Sequence, residues 1–173
     1  MKVAVRRAVI AGIGHTPFGR FADRTALDLE AEAVLRAVSD AGFGKHDVDG
    51  LITDPGPAQG VITGITPHYL TLGQHLGLNP DFVGSELLGG ASSAASIQRA
   101  VMAIEAGLCS VCICVYGDKA LSSPGSFAYG RGEGSIFGFF GATGLHALAA
   151  QRHMALYRTR PEHFAEVAIA ARA

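Results

Sequence analysis

Apolar and polar positions follow one another along this chain in a regular strand and helix pattern. Short continuous apolar runs predict buried strands at 7–14, 48–53, 81–88 and 109–116. Apolar residues at helical spacing predict helices at 25–40, 67–76, 91–106, 145–157 and from 161 onward. Thr25 and Asp28 form a capping-box pattern at the start of the first helix. This order predicts an α/β fold with a parallel-dominated sheet and helices on both faces.

The stretch from 117 to 144 departs from this pattern because it is rich in glycine and aromatic residues. It is too long for an ordinary turn, so we expect a folded excursion that lines a site or a subunit contact. We therefore expect an α/β domain at 1–118. A glycine- and aromatic-rich region with its following helices would occupy 119–173.

Composition excludes several classes of function. The 173 residues carry a formal net charge of −1, which provides no cationic field for nucleic acid. No apolar run is long enough to span a bilayer. The odd number of cysteines, 3, does not form a disulfide framework, and a cytoplasmic protein is expected. Strand alternation predicts Cys112 and Cys114 on one face and Cys109 on the other, as core residues and not as a metal site.

The segment 84–106 carries the most chemical information. A glycine pair precedes a helix whose first positions, 91–96, hold only alanine and serine. The free N–H groups and partial positive charge of such a helix start stabilise an anion or a nucleophile. A tightly packed core helix after a glycine turn is the alternative interpretation.

This segment resembles the thiolase superfamily. The helix ends in AIEAG and is followed by an apolar strand with YGD. The opening VIAGIGHTPFGRF and the late run ALAAQRHMALYRTRPEHFAEVAIAAR are similar to that family in the same order. The resemblance covers the whole chain as an N-terminal thiolase half, and is strongest to the sterol-carrier or lipid-transfer type. It implies an acyl-CoA substrate with coenzyme A as thioester carrier, no other cofactor, a role in lipid metabolism and a homodimer.

One departure from the family decides the expected chemistry. The position of the thiolase nucleophilic cysteine falls on Gly90, which can be neither acylated nor deprotonated. Ser92 and Ser93 are close to it, but a serine needs a positioned base to become a nucleophile. By the resemblance, His146 and His153 lie in the region that approaches the pantetheine arm, so they are candidates for substrate contact.

The resemblance also implies that a C-terminal half with the family's remaining catalytic groups follows this chain. Thiolase-like proteins without the cysteine resemble side-chain aldolases, which cleave a β-hydroxyacyl-CoA by a retro-aldol step with a small OB-fold partner. We therefore expect part of an acyltransferase-family enzyme that breaks or forms a carbon–carbon bond next to a thioester. A non-catalytic acyl-CoA-binding or lipid-binding homologue, or an inactive partner subunit, is the alternative.

Overall fold

The computed structural model describes residues 7–56, 67–122, 133–138 and 141–173. The chain forms two compact units, Met1–Pro124 and Gly125–Ala173. The first unit is an α/β domain with a parallel sheet, which confirms the predicted fold class. Residues 123–132 and 139–140 of the predicted glycine-rich excursion fall outside the described residues.

The sheet of the first unit has three parallel strands, β1 (Gly50–Pro55), β2 (Phe82–Ser85) and β3 (Cys112–Gly117), in the order β2-β1-β3. The register places Gly50 opposite Phe82 on one side and Cys112 on the other. The central strand is buried on both faces, and Leu51 and Ile52 have no exposed surface. A continuous apolar run is typical of such a strand.

Three helices cover the two faces of this sheet: α1 (Ala26–Asp40), α2 (His68–Leu76) and α3 (Ser92–Glu105). On one face, α1 and α2 enclose a core of nine buried apolar residues, namely Ala31, Val34, Val38, Val48, Leu51, Leu72, Leu76, Ile113 and Val115. On the other face, the Cys114 thiol donates to the Ser96 carbonyl oxygen at 3.4 Å, which fixes α3 over β3. Helices on both faces were predicted and are confirmed.

Local signals in the sequence set the ends of these helices. The Thr25 hydroxyl accepts a hydrogen bond from Asp28 N at 3.1 Å, and Asp28 Oδ2 accepts from Thr25 N at 2.9 Å. This capping box satisfies two N–H groups that the helix leaves free. Helix α2 ends at Gly77, whose φ of 67° is readily adopted only by glycine.

The predicted first strand is wrong. Residues 7–14 belong to no strand, and Val9, Ile10 and Ile13 are largely exposed. This segment lies along α1, where a Cβ on Gly12 would come within 2.7 Å of Ala41 N. Among the described residues its backbone makes one hydrogen bond, from Ile13 N to Asp40 Oδ2 at 2.9 Å. An apolar pattern without a neighbouring strand to pair with does not form a strand.

The prediction that the strand at 109–116 is buried is also only half right. Ile113 and Val115 are buried under α1, whereas Cys114 and Tyr116 are exposed. Beside β3, an apolar groove of about 590 Å³ runs between residues 7–14 and the side chains of Ile97 and Val101. That a C-terminal half covers this edge remains a prediction.

The second unit contains α4 (Gly141–Tyr157) and α5 (Pro161–Ala170). Pro161 begins α5, where its missing N–H costs no helical hydrogen bond. The His153 ring contacts Tyr157 at 4.7 Å and Phe164 at 6.0 Å between ring centroids, which joins the two helices. In the part of the chain that the structure describes, no helix is long and apolar enough to cross a membrane.

Two leucines of α2 test the core packing. Leu72 has no exposed surface, whereas Leu70 on the same helix is 45% exposed. We expect Leu72→Ala to lower the free energy of unfolding by about 2–5 kcal/mol, because it removes buried methyl groups and leaves a cavity. Leu70→Ala is the matched control and should cost less than about 1 kcal/mol in urea denaturation. Equal losses in the two variants would contradict the packing described.

Candidate active site

The carboxyl ends of the three parallel strands meet at one edge of the sheet. Asp54 lies near the end of β1 and is paired in register with Tyr116 near the end of β3. Glu86 follows β2, and its N–H donates to the Thr53 carbonyl oxygen at 2.9 Å. Asp118 follows β3. Ligands of parallel α/β sheets bind at this edge, so the side chains that meet here are candidates for a reaction site.

The N-terminus of α3 lies at the same edge. A short 3₁₀ turn, Gly89–Ala91, leads into α3, and no side chain caps the helix start. Gly89 has a φ of 59°, a conformation that favours glycine. The Ser92 N–H donates to the Gly89 carbonyl oxygen, so it is the partial positive charge of the helix start that favours a developing negative charge there.

Gly90 stands at this helix start with open space around it. A Cβ built on Gly90 would meet no atom within 4 Å among the described residues, and its φ lies outside the left-handed region. Neither packing nor backbone strain therefore requires glycine here. The position has room for a reactive side chain but carries none.

Ser92, in the first turn of α3, and Asp54 of β1 are both buried polar residues. Ser92 is 1% exposed and Asp54 is 7% exposed. The Ser92 hydroxyl accepts a hydrogen bond from Leu88 N at 2.9 Å and lies close enough to the Asp54 carboxyl to lower its pKa. Burial raises the pKa of Asp54, the Ser92 hydrogen bond opposes this shift, and the charge of Glu86 adds to it. The raised pKa of the Asp54 carboxyl makes it better able to accept a proton.

Tyr116 is the second group at this edge whose pKa is raised. Its hydroxyl lies 3.4 Å from Asp118 Oδ2, and its side chain is half-exposed. Burial, followed by the charges of Asp118 and Asp54, raises the pKa of Tyr116 to about 12. The phenol therefore remains protonated at neutral pH and is able to donate a hydrogen bond.

The residues singled out from the sequence lie in different elements of the structure. Ser92 is buried and serves the turn before α3, whereas Ser93 is exposed in the first turn of that helix. His146 and His153 are exposed on α4 in the second unit. Substrate contact by these histidines and a nucleophilic role for either serine therefore stay predictions.

The cysteines do not divide between two faces as predicted. A Cβ on Gly50 would lie 2.9 Å from Cys112 Sγ and 3.0 Å from Cys109 Sγ, so both sulfur atoms face the same glycine. The prediction failed because Cys109 precedes β3, where strand alternation does not apply. All three thiols are free, and a hydrogen bond from Cys112 lowers the pKa of Cys114. Among the described residues no group of three His, Cys, Asp or Glu side chains could hold a metal ion.

Comparison with curated proteins finds an aldolase, a lyase and an acyltransferase. The chain is 30% identical to a steroid side-chain-cleaving aldolase of Thermomonospora curvata, over 98% of this chain and 45% of that protein. It is 28% identical to the 17-hydroxy-3-oxo-4-pregnene-20-carboxyl-CoA lyase of Mycobacterium tuberculosis, over 96% of this chain and 45% of the lyase. An acetyl-CoA acetyltransferase of Methanocaldococcus jannaschii is 29% identical, over 88% of this chain and 40% of that enzyme.

One solved structure of an aldolase is similar to this chain in its fold. The Ltp2-ChsH2(DUF35) aldolase matches with a TM-score of 0.69 and 30% identity, over 88% of this chain and 39% of that chain. No family model matches the chain. The chain spans less than half the length of the curated relatives it matches. These relatives support the thiolase resemblance in part. The matches to the aldolase and the lyase cover more of this chain than the match to the acetyltransferase does.

The buried Asp54 carboxyl predicts a pH-dependent stability difference. Because its pKa is raised by folding, the ionised form costs stability at neutral pH, and this cost shrinks as the pH falls through the folded pKa and is gone below the lower pKa of the unfolded chain. We expect Asp54→Asn to raise the melting temperature at neutral pH, with the gain shrinking toward acidic pH.

Asp23→Asn is the matched control, because Asp23 is exposed. Its melting temperature should follow that of the unaltered protein across the same pH range. A gain for Asp54→Asn that stays constant or grows on acidification would contradict the assigned burial of the carboxylate.

Proposed function

We propose that this chain is part of an aldolase-type lyase that cleaves a β-hydroxyacyl-CoA by a retro-aldol step. The observation that carries the proposal is Gly90, an open position at the start of α3 that lacks a nucleophile. A thiolase needs an acyl-enzyme at this point, whereas a retro-aldol cleavage needs only a base and a site for the enolate oxygen. The aldolase and lyase names of two relatives support the same chemistry.

The residues at the carboxyl edge of the sheet supply these two requirements. Asp54 accepts the proton of the substrate β-hydroxyl, and a carbonyl group forms at the β carbon. The bond between the α and β carbons breaks, and its electron pair becomes the enolate of the shorter thioester. The partial positive charge at the start of α3 stabilises the enolate oxygen, and the Tyr116 hydroxyl donates a hydrogen bond to it. Protonation at the α carbon completes the acyl-CoA product.

The proposal extends to the assembly. The matched aldolase is named as a combination of Ltp2 with ChsH2(DUF35), which supports a second subunit for the present protein as well. We propose a small OB-fold protein as that subunit and a homodimer of the full-length chain, with no cofactor beyond the coenzyme A of the substrate.

The full-length protein with its partner should release a shorter acyl-CoA from a β-hydroxyacyl-CoA without added coenzyme A. Liquid chromatography of the CoA esters measures this release. Asp54→Asn should lower kcat by about 100-fold or more, because it removes the base. Release only from a β-ketoacyl-CoA with free coenzyme A would instead identify a thiolase. Binding without either reaction would favour the non-catalytic homologue.

A cysteine introduced at Gly90 tests whether this position faces the thioester. The open space around Gly90 predicts that Gly90→Cys folds normally, and the helix start should favour its thiolate. We expect this cysteine to be acylated by acyl-CoA, and peptide mass spectrometry identifies the modified residue.

Ser93→Cys is the matched control because Ser93 is also exposed in the first turn of α3. Acylation of Cys at 90 but not at 93 supports a directed thioester site. Equal labelling at both positions, or labelling at neither, would contradict it.

A further inference from the structure

A buried acid–histidine pair lies between α1 and α2, apart from the groups assigned to the reaction. Glu30 in α1 is 0% exposed and His68 at the start of α2 is 5% exposed. Glu30 Oε2 lies 2.7 Å from His68 Nε2. The pair is buried on the sheet face opposite α3, beside the apolar core that α1 and α2 form.

Stability alone does not explain this pair. A buried acid–histidine pair loses the hydration of both groups, and well-packed apolar residues of similar volume are often equally stable or more so. Glu30 also falls within the buried stripe of α1, next to Ala31 and one turn before Val34. An apolar residue would suit this buried stripe better than a glutamate. The contacts of Glu30 must therefore explain why an acid stands at this position.

The contact that provides this reason is Gly117. A Cβ on Gly117 would overlap Glu30 Cγ and would lie 2.7 Å from Glu30 Cδ, so the acid side chain crosses the end of β3 where only glycine fits. On the other side, Gly56 N donates to the Gly117 carbonyl oxygen at 3.1 Å. Gly117 is thus held between the Glu30 side chain and the backbone that follows β1.

Gly117 stands between the two residues that form the polar contact at this edge. Tyr116 precedes it and Asp118 follows it, and their side chains meet at 3.4 Å. Lys119 N donates to Asp118 Oδ1 at 2.7 Å, which holds the aspartate after the strand. A shift of Gly117 would therefore move Tyr116 and Asp118 together, relative to Asp54 on the neighbouring strand.

We propose that Glu30 and His68 are positioning residues that fix the end of β3 and thereby hold Tyr116 beside Asp54 at the reaction site. This inference rests on the proposed function for its catalytic readout. Glu30 acts through Gly117 and does not touch the substrate. His68 fixes the Glu30 carboxylate and so determines the path of its side chain.

Glu30→Gln in the full-length protein tests the proposal, because it keeps the size of the side chain but replaces the carboxylate that His68 fixes, and the path of the side chain past Gly117 depends on that contact. We expect kcat for the hydroxyacyl-CoA to fall by about 10- to 100-fold with KM changed by less than about threefold, as misplacement of a reacting group predicts. Glu32→Gln is the control on the same helix, since Glu32 forms ion pairs with Arg24 and Arg36 away from Gly117. Its kcat should stay unchanged.

A double-mutant cycle separates positioning from a general loss of structure. If Glu30 acts through Tyr116, then Glu30→Gln should have little further effect on kcat in a Tyr116→Phe background. His68→Gln, which keeps a hydrogen-bond donor, should retain more activity than His68→Ala. Additive effects of Glu30→Gln and Tyr116→Phe, or equal loss in both His68 variants, would overturn the proposal.

A spectroscopic readout keeps this test independent of the lyase assay. The charged groups that raise the pKa of Tyr116 include Asp118, Asp54 and Glu30. Ultraviolet difference titration against Tyr116→Phe isolates the ionisation of this phenol. Glu30→Gln should move it to lower pH, because a negative neighbour is lost, and Glu32→Gln should not. If the unaltered protein folds but shows no lyase activity, and Glu30→Gln still lowers the pH at which Tyr116 ionises, only the proposed function is refuted. If Glu30→Gln leaves this titration unchanged, the positioning role is overturned.

Discussion

The parallel pairing of β1 with both of its neighbours is the constraint on which the site depends. Because β1 is central and all three strands run in the same direction, their carboxyl ends meet at one edge. The register then brings Asp54 beside Tyr116, with α3 beginning at the same edge. A slip of one residue would turn Asp54 to the opposite face and separate it from Ser92. The chemistry proposed for this chain is therefore a consequence of strand register.

Elements with local signals were predictable from the sequence. Helix α1 begins at its capping box, and α2 ends at a glycine, because both signals act through neighbouring backbone groups. The strand expected at 7–14 failed because strands depend on distant partners that an apolar pattern does not identify. Its glycines carried a different signal, since Gly12 lets the chain lie closely against α1. Cys109 was misassigned for a related reason, because its position depends on where β3 begins.

The candidate site was only partly predictable. The small-residue helix start and Gly90 are local features, and the sequence pointed directly to them. Asp54, Tyr116 and Glu30 were missed because folding brings them together from separate elements. A signal for Glu30 did exist, since an acid within the apolar stripe of an amphipathic helix contradicts the pattern around it. Asp54 likewise lies near the carboxyl end of a buried strand, where parallel sheets bind ligands.

The central claim is that carbon–carbon cleavage proceeds here without an acyl-enzyme, because Gly90 offers no nucleophile. Rapid acid quench of the full-length protein during turnover of a β-hydroxyacyl-CoA, followed by intact-protein mass spectrometry, tests it most directly. The account predicts that the shorter acyl-CoA accumulates while the protein keeps its unmodified mass. A transient protein species heavier by one acyl group, formed and lost at the rate of turnover, would contradict it.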